Sequence, residues 1–284
     1  QKSMVVLVTG ANGQVGQSLR FIAPKYSDIQ FVFCDSKELD ITNLNKIKQL
    51  FEQFKPNCCI NAAAYTAVDK SESEPEMANL INVVGPKNLA EVCKEFNTIL
   101  IHISTDFVFD GTKDTPYTEE DIPNPTGVYG QTKLDGEKAI QEIWHKHFII
   151  RTSWVYSQFG NNFMKTMLRL ASERDKLSVV NDQIGTPTNA VDLAEVLVKI
   201  ITEHSKLNTE HFGIYNFSNE GQCSWYFFAK KIFEFNNIKI NLEPIPTTSF
   251  PTPAKRPGYS VLDKSKIKNT FGVEVNYWET SLKP

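Results

Sequence analysis

The stretch Tyr129-Gly130-Gln131-Thr132-Lys133 sets a tyrosine and a lysine four residues apart, a spacing that puts both side chains on one face of a helix. A free phenol, with a pKa near ~10, exchanges protons poorly at neutral pH, and an adjacent ammonium that favours the phenolate brings it into range. Lys133 is therefore expected to lower the pKa of Tyr129. The same spacing also describes an ordinary exposed helical pair, so its weight depends on its surroundings. Upstream, the apolar run Ile99–Ile103 leads into Ser104-Thr105-Asp106. Hydroxyls emerging at the carboxyl end of a central strand stand where open α/β sheets bind ligands, and Thr105 can donate there to a substrate carbonyl. The competing role for Thr105 and Asp106 is a helix cap or a strand-end hydrogen bond.

A second constellation opens the chain. After the apolar run Val5–Val8 comes Gly10-Ala11-Asn12-Gly13-Gln14-Val15-Gly16, which leads into a helical pattern through Leu19 and Ile22. A pyrophosphate site needs a tight turn, a backbone that can approach without an intervening Cβ, and the free N–H groups of a helix N-terminus, and three glycines at this spacing supply them. Asp35, at the end of the second apolar run and about 20 residues on, is placed to bond the ribose hydroxyls of a dinucleotide. An aspartate there repels a 2′-phosphate, whereas Lys37 attracts one, so NADH and NADPH both stay open. Asn61-Ala62-Ala63-Ala64 sets small residues where backbone passes close to the cofactor, or where helix packs on sheet.

The elements that must position these residues alternate. Apolar runs at Val5–Val8, Phe31–Cys34, Cys58–Ile60, Ile99–Ile103 and Phe148–Ile150 read as buried parallel strands. Helical patterns lie between them, including 43–54 and 79–95. The order predicts an α/β fold, a Rossmann-type doubly wound parallel sheet with a smaller C-terminal substrate lobe. Farther on come a helix at 162–174, a strand at 177–180, a helix at 190–204, a strand at 214–217 and a helix at 224–236. The proline-rich stretch 244–257 is expected to be an ordered loop. The dinucleotide domain is expected to span 4–180, with 189–218 returning to it, and the smaller lobe 181–284. Gln1–Ser3 read as a short lead ahead of a native start at Met4.

Composition narrows the function classes. With 41% apolar and 22% charged residues and a net charge of −3, the chain has the profile of a globular protein with no electrostatic reason to hold nucleic acid. No run approaches the ~18–20 apolar residues of a membrane span, and no basic-then-apolar signal opens the chain, so no membrane partner and a cytoplasmic location are expected. The five cysteines and five histidines show no ligand spacing, so no metal is expected.

Glycine turn, acidic second strand, hydroxyl after the fourth strand and then Tyr-x-x-x-Lys is the order found in the extended short-chain dehydrogenases. Within them the chain resembles the dTDP-4-dehydrorhamnose reductases along nearly its whole length. The resemblance is carried by Gln14-Val15, Asn61–Ala64, Ala67-Val68-Asp69-Lys70, Ser104–Asp106, Arg151–Tyr156, Gly160–Phe163, Asn181–Gln183 and Pro251–Pro257. It implies Tyr129 as general acid, Lys133 as its partner and a ligand of the nicotinamide ribose, and Thr105 as the group polarising the carbonyl. It further implies Asp106 and Trp154 at the sugar, Asp40 and Ile41 flanking the adenine, and a dTDP-linked 4-keto-6-deoxy sugar as substrate. Trp154 is equally compatible with core packing. Asn162 and Gln183 are candidates for the nucleotide end. Arg256 is a candidate for the substrate pyrophosphate, because a guanidinium fork suits that anion.

Some members of the family carry a glutamate, two residues after the third glycine, that bridges a dimer through a metal. Ser18 stands there in this chain, so a monomer or weak homodimer is expected. The family's C-terminal helix runs past the positions of Trp278–Leu282, so the chain reads as short at that end. Among competing activities, a 4,6-dehydratase needs a further acid and base after the threonine, whereas Asp106 is followed by Phe107, which transfers no proton. A nucleotide-sugar 4-epimerase shares Tyr-x-x-x-Lys and remains an alternative, as does a non-catalytic regulatory subunit that uses the fold for association.

Overall fold

The computed structural model describes residues 4–207 and 209–284, and Gln1–Ser3, read above as a lead, lie outside the described residues. The strands are β1 (Met4–Thr9), β2 (Ile29–Phe33), β3 (Cys58–Asn61), β4 (Ile99–Thr105), β5 (His147–Thr152), β6 (Val155–Tyr156), β7 (Lys176–Val180), β8 (Ile184–Gly185), β9 (Thr188–Asn189), β10 (Gly213–Asn216), β11 (Cys223–Ser224) and β12 (Asn241–Ile245). Six of them form one parallel sheet in the order β10-β5-β4-β3-β1-β2. The winding reverses between β1 and β3. Above that point the carboxyl ends of neighbouring strands part and leave a crevice, the usual ligand position in such sheets.

Alternation along each strand sends successive side chains to opposite faces, and both faces are covered. The helices are α1 (Gln14–Ile22), α2 (Leu44–Phe54), α3 (Val68–Ser71), α4 (Pro75–Asn79), α5 (Gly85–Phe96), α6 (Val128–Ile143), α7 (Phe163–Glu173), α8 (Ala190–Glu203), α9 (Trp225–Phe235), α10 (Ser265–Phe271) and α11 (Trp278–Leu282). Val6, Val8, Ile101, Phe148 and Ile150 pack with Leu19 of α1, Leu197 of α8 and Phe271 of α10. On the other face Leu7, Cys59, Leu100 and Ile149 pack with Ile47 and Phe51 of α2, Leu89 and Cys93 of α5 and Ile140 of α6.

Three elements depart from the sequence reading. The helical pattern at 79–95 is not continuous α-helix: α4 passes through a π turn at Leu80–Val84 into α5, and the turn aims the buried Asn82 at the Tyr65 backbone and the Thr132 hydroxyl. The proline-rich stretch is not all loop. Pro244 lies in β12, which forms a two-stranded sheet with β7, and an edge position needs no N–H from it. Finally, α7 and β7, grouped by the alternation with the dinucleotide half, pack with α9 around Met167, Leu177, Val179, Phe228 and Ile232, apart from the six-stranded sheet. The later strand β10, in contrast, is the sheet's edge next to β5.

Candidate active site

The turn after β1 is shaped by close approach. Gly10 has φ +61°, and a Cβ on it would lie 2.6 Å from the Ala62 carbonyl carbon and oxygen and from the Ala63 nitrogen. No side chain fits there. The turn delivers the chain into α1, whose N-cap is Gly13 and whose first turn contains no acidic residue, so its free N–H groups face outward uncompensated. Beneath it, Thr9 donates to Asn61 Oδ1 (2.6 Å), and the Ala63 N–H donates to the same oxygen (3.2 Å), which fixes the backbone of the Ala62–Ala64 turn.

Tyr129 and Lys133 lie in the first turns of α6, which packs closely on the turn Asp106–Val108 after β4 because residue 130 is glycine: a Cβ there would meet the Phe107 carbonyl oxygen at 2.2 Å. The edge of the Phe107 ring meets the Tyr129 ring at 5.2 Å between centroids. Thr105, at the end of β4, donates to Asp106 Oδ1 (3.1 Å). It also accepts from the Phe107 N–H (3.2 Å) and so caps the turn Asp106–Val108. The capping role considered for Thr105 is thus the one its hydrogen bonds fill.

These groups titrate away from their ordinary values. Burial pushes the Tyr129 phenol up to about 12, against the pull of the Thr105 hydrogen bond. Burial pushes Lys133 down to about 8, opposed by the charge of Glu137. The net shift of Tyr129 is therefore upward rather than down as expected, because burial outweighs the neighbouring groups. The Lys133 ammonium donates to the Ile103 carbonyl (2.7 Å), and the low-polarity surroundings favour the neutral phenol. Burial also pushes the Asp106 carboxyl up to about 6, despite hydrogen bonds from Ser260 and Thr105.

A cavity of about 720 Å³ joins the two constellations. Asn12, Gly13, Gln14, Val15, Ala62, Ala64, Thr105, Asp106, Tyr129, Lys133, Trp154 and Arg256 all line it. Asp35 stands beside it, joined to the glycine turn through Asn12 (3.3 Å), and the N–H groups of Glu38 and Lys37 hold its carboxyl below the usual range. Gly10, Gly16 and Ala63 support the turns from below. Gln14 turns its amide across the cavity mouth to the Val155 carbonyl (3.1 Å), tying α1 to the smaller cluster.

Other candidates lie elsewhere. Ile41 is buried, its side chain against Gly85 and its carbonyl accepting from Asn88. Asp40 is exposed and occupied by the N–H and hydroxyl of Thr42. Asn162 is the N-cap of α7, and its amide is used by Ser157 and Phe159 carbonyls. Gln183 is buried against Thr247. Arg256 reaches the cavity already paired with both oxygens of Asp69, so its fork is not free. Trp225 of α9 was missed by the sequence reading. It stacks on Trp154 at 3.6 Å and 14°, and both rings line the cavity, whereas its setting in Trp225-Tyr226-Phe227-Phe228 reads as plain helix core. Trp154 holds this stack with φ +49°, a strained conformation for a large side chain.

Among the described residues, no group of three or more His, Cys, Asp or Glu side chains is placed to hold a metal ion, and no helix is long and apolar enough to cross a membrane. The glycine cradle, the uncapped start of α1 and the size of the cavity fit a nicotinamide dinucleotide.

Comparison with known proteins gives a consistent pattern. The RmlD substrate binding domain family matches residues 4–284. The dTDP-4-dehydrorhamnose reductase of Aggregatibacter actinomycetemcomitans is 44% identical over 98% of this chain and 97% of its own length. A crystal structure of a dTDP-4-dehydrorhamnose reductase from Clostridium acetobutylicum superposes with a TM-score of 0.93 at 44% identity, covering 99% of this chain and 97% of that one. That of the Bacillus anthracis enzyme in complex with NADP gives 0.93 at 41% identity, covering 99% and 98%.

Proposed function

The chain belongs to the RmlD substrate binding domain family, and from that membership and the site geometry we propose that it reduces the C4 keto group of dTDP-4-dehydrorhamnose to give dTDP-L-rhamnose, using NADPH or NADH. The observation that carries the residue roles is the joining of the glycine turn, Thr105, Tyr129 and Lys133 around one cavity.

The backbone of Gly10–Gly16, the Ala62–Ala64 turn, Asp35 and Lys133 would hold the dinucleotide, which when bound supplies the hydride. Thr105 and Tyr129 polarise the substrate carbonyl, and both stabilise the negative charge that grows on its oxygen. A phenol pushed up to about 12 is fully protonated at neutral pH, the state a donor needs. Tyr129 gives its proton to the forming alkoxide, a far stronger base, and the Lys133 ammonium then stabilises the phenolate. Asp106 and the Trp154–Trp225 stack, at the other side of the cavity, are assigned to the sugar. The site thus divides between a dinucleotide half built on the six-stranded sheet and a smaller lobe gathered around α7 and α9.

Phe107, packed on Tyr129, leaves no second proton-transfer group where a dehydratase requires one. The 4-epimerase and regulatory-subunit alternatives are set aside on the family's named activity. We further infer a cytoplasmic protein, since its five cysteines are all free and buried, and a monomer or weak homodimer, since Ser18 is turned inward onto the Gln14 carbonyl and offers no bridging carboxylate. Purified protein given NADH or NADPH with dTDP-4-dehydrorhamnose is expected to consume one cofactor per sugar reduced, followed by loss of the reduced nicotinamide absorbance. Cofactor that binds without being consumed would move the assignment to an epimerase or a non-catalytic subunit.

A further inference from the structure

One turn beyond Lys133, α6 carries a second buried charge. Glu137 accepts from Arg151 of β5 through Nη2 to Oε1 (2.7 Å) and Nε to Oε2 (3.0 Å), and the Ser104 hydroxyl of β4 donates to Oε2. The Arg151 and Glu137 side chains are 2% and 1% exposed, and the guanidinium is covered by the Phe109 ring at 5.2 Å. A buried ion pair is weak evidence for stability, because apolar residues of the same volume often do as well, so this one calls for another account.

Lys133 is adjacent to it in the helical register, buried, and bonded to the Ile103 carbonyl, and it has no ion-pair partner among the described residues. Desolvation opposes its charge, and Glu137 is the neighbour that opposes desolvation. The other titratable groups on this side of α6 are Tyr129 of the same helix, His102 of β4, which burial holds neutral, and Asp106 at the end of β4. The buried residues of α3, α4, the π turn and α5 include no charged side chain. From this geometry we infer that Glu137, clamped by Arg151 and Ser104 one helical turn from Lys133, is a positioning residue that keeps the Lys133 ammonium charged. The inference rests on the reading of Lys133 as the cation beside Tyr129.

The test is Glu137→Gln in protein carrying ¹³C-labelled lysine. The Lys133 Cε resonance, identified by its loss in Lys133→Met, is followed with pH, and the pH profile of kcat/KM is measured alongside. Lys133 is expected to lose its proton about one pH unit lower than in the wild type, with the alkaline limb of the profile displaced equally. Because the variant leaves Arg151 unpaired, Glu137→Gln with Arg151→Met is examined in parallel, and a smaller displacement in the same direction is expected, since the Arg151 cation that disfavours the Lys133 ammonium leaves as well. Turnover by Lys133→Met at the wild-type rate overturns the reading of Lys133 itself. With that variant inactive, an unmoved Lys133 titration in the folded Glu137 variants overturns the role of Glu137 alone.

Discussion

Asp106 is a carboxyl group with almost no water, and its stability contribution has the opposite sign to that of a salt-bridged aspartate. Its folded pKa, pushed up to about 6, lies above the ordinary 3.8. Its contribution is therefore fully present below the unfolded value and is lost as pH rises through the folded one, an effect of up to about 3 kcal/mol at neutral pH. Asp106→Asn should stabilise the protein at pH 7, give no gain below pH 4, and lower turnover. Denaturant midpoints at the two pH values check this, and an equal gain at both would assign the effect to packing. Tyr129→Phe should keep cofactor binding and lose about 10²–10⁴-fold in turnover, and a near-normal rate would remove Tyr129 as the acid. At Asp35 the carboxylate is held ionised beside the glycine turn, so Asp35→Ala should raise the use of NADPH relative to NADH. An unchanged ratio of the two kcat/KM values would place the carboxylate away from the ribose.

At the scale of elements, the β1–α1 turn and the Ala62–Ala64 turn form one unit, because the Gly10 backbone packs directly on the Ala62–Ala63 peptide. Gly10→Ala adds a Cβ against atoms that cannot rotate away, in a backbone region that costs alanine about 1–3 kcal/mol. It should lower the melting temperature and weaken dinucleotide binding, both measurable on the apo protein; unchanged binding would show that the turn does not carry the pyrophosphate. The six-stranded sheet is legible because β1, β3, β4 and β5 are apolar runs buried on both faces and β2, at the edge, is a half-buried apolar run, patterns set by local sequence. The short strands β6, β8, β9 and β11, of two residues each, carry no such pattern, and their pairing is imposed by distant chain. The π turn hides in Leu80–Val84, whose spacing suits an α-helix equally well. The glycine turn and Tyr-x-x-x-Lys could be read from spacing, whereas the Asp69–Arg256 pair spans 187 residues and left Arg256 looking free. Asn162 did have a local signal: asparagine ahead of a helical pattern favours an N-cap, the role it takes.

At the scale of the whole molecule, the pH dependence of stability near neutrality is set mainly by histidines, against the opposing Asp106 of the site. Burial holds His102, His147 and His204 below the ordinary 6.5, on β4, at the start of β5 and just past α8. A histidine lowered by folding binds its proton more tightly in the unfolded chain. Its stabilising contribution is complete above the unfolded value and is lost as pH falls below it, at up to about 1.4 kcal/mol per pH unit for each group. The raised carboxyls of Asp106 and Glu119 work in the other direction, and Asp106 does so up to its folded value of about 6, but three lowered histidines outweigh it in the range just below neutrality. Unfolding free energy is therefore expected to fall between pH 7.5 and 5.5, with proton uptake on unfolding. His147→Gln and His204→Gln should each flatten that slope, because glutamine fills much of the volume without titrating. Urea unfolding at several pH values measures it directly. A flat curve over this range would mean that these histidines gain protons without unfolding, and that the buried polar layer along β4 and β5 admits charge more readily than its packing implies.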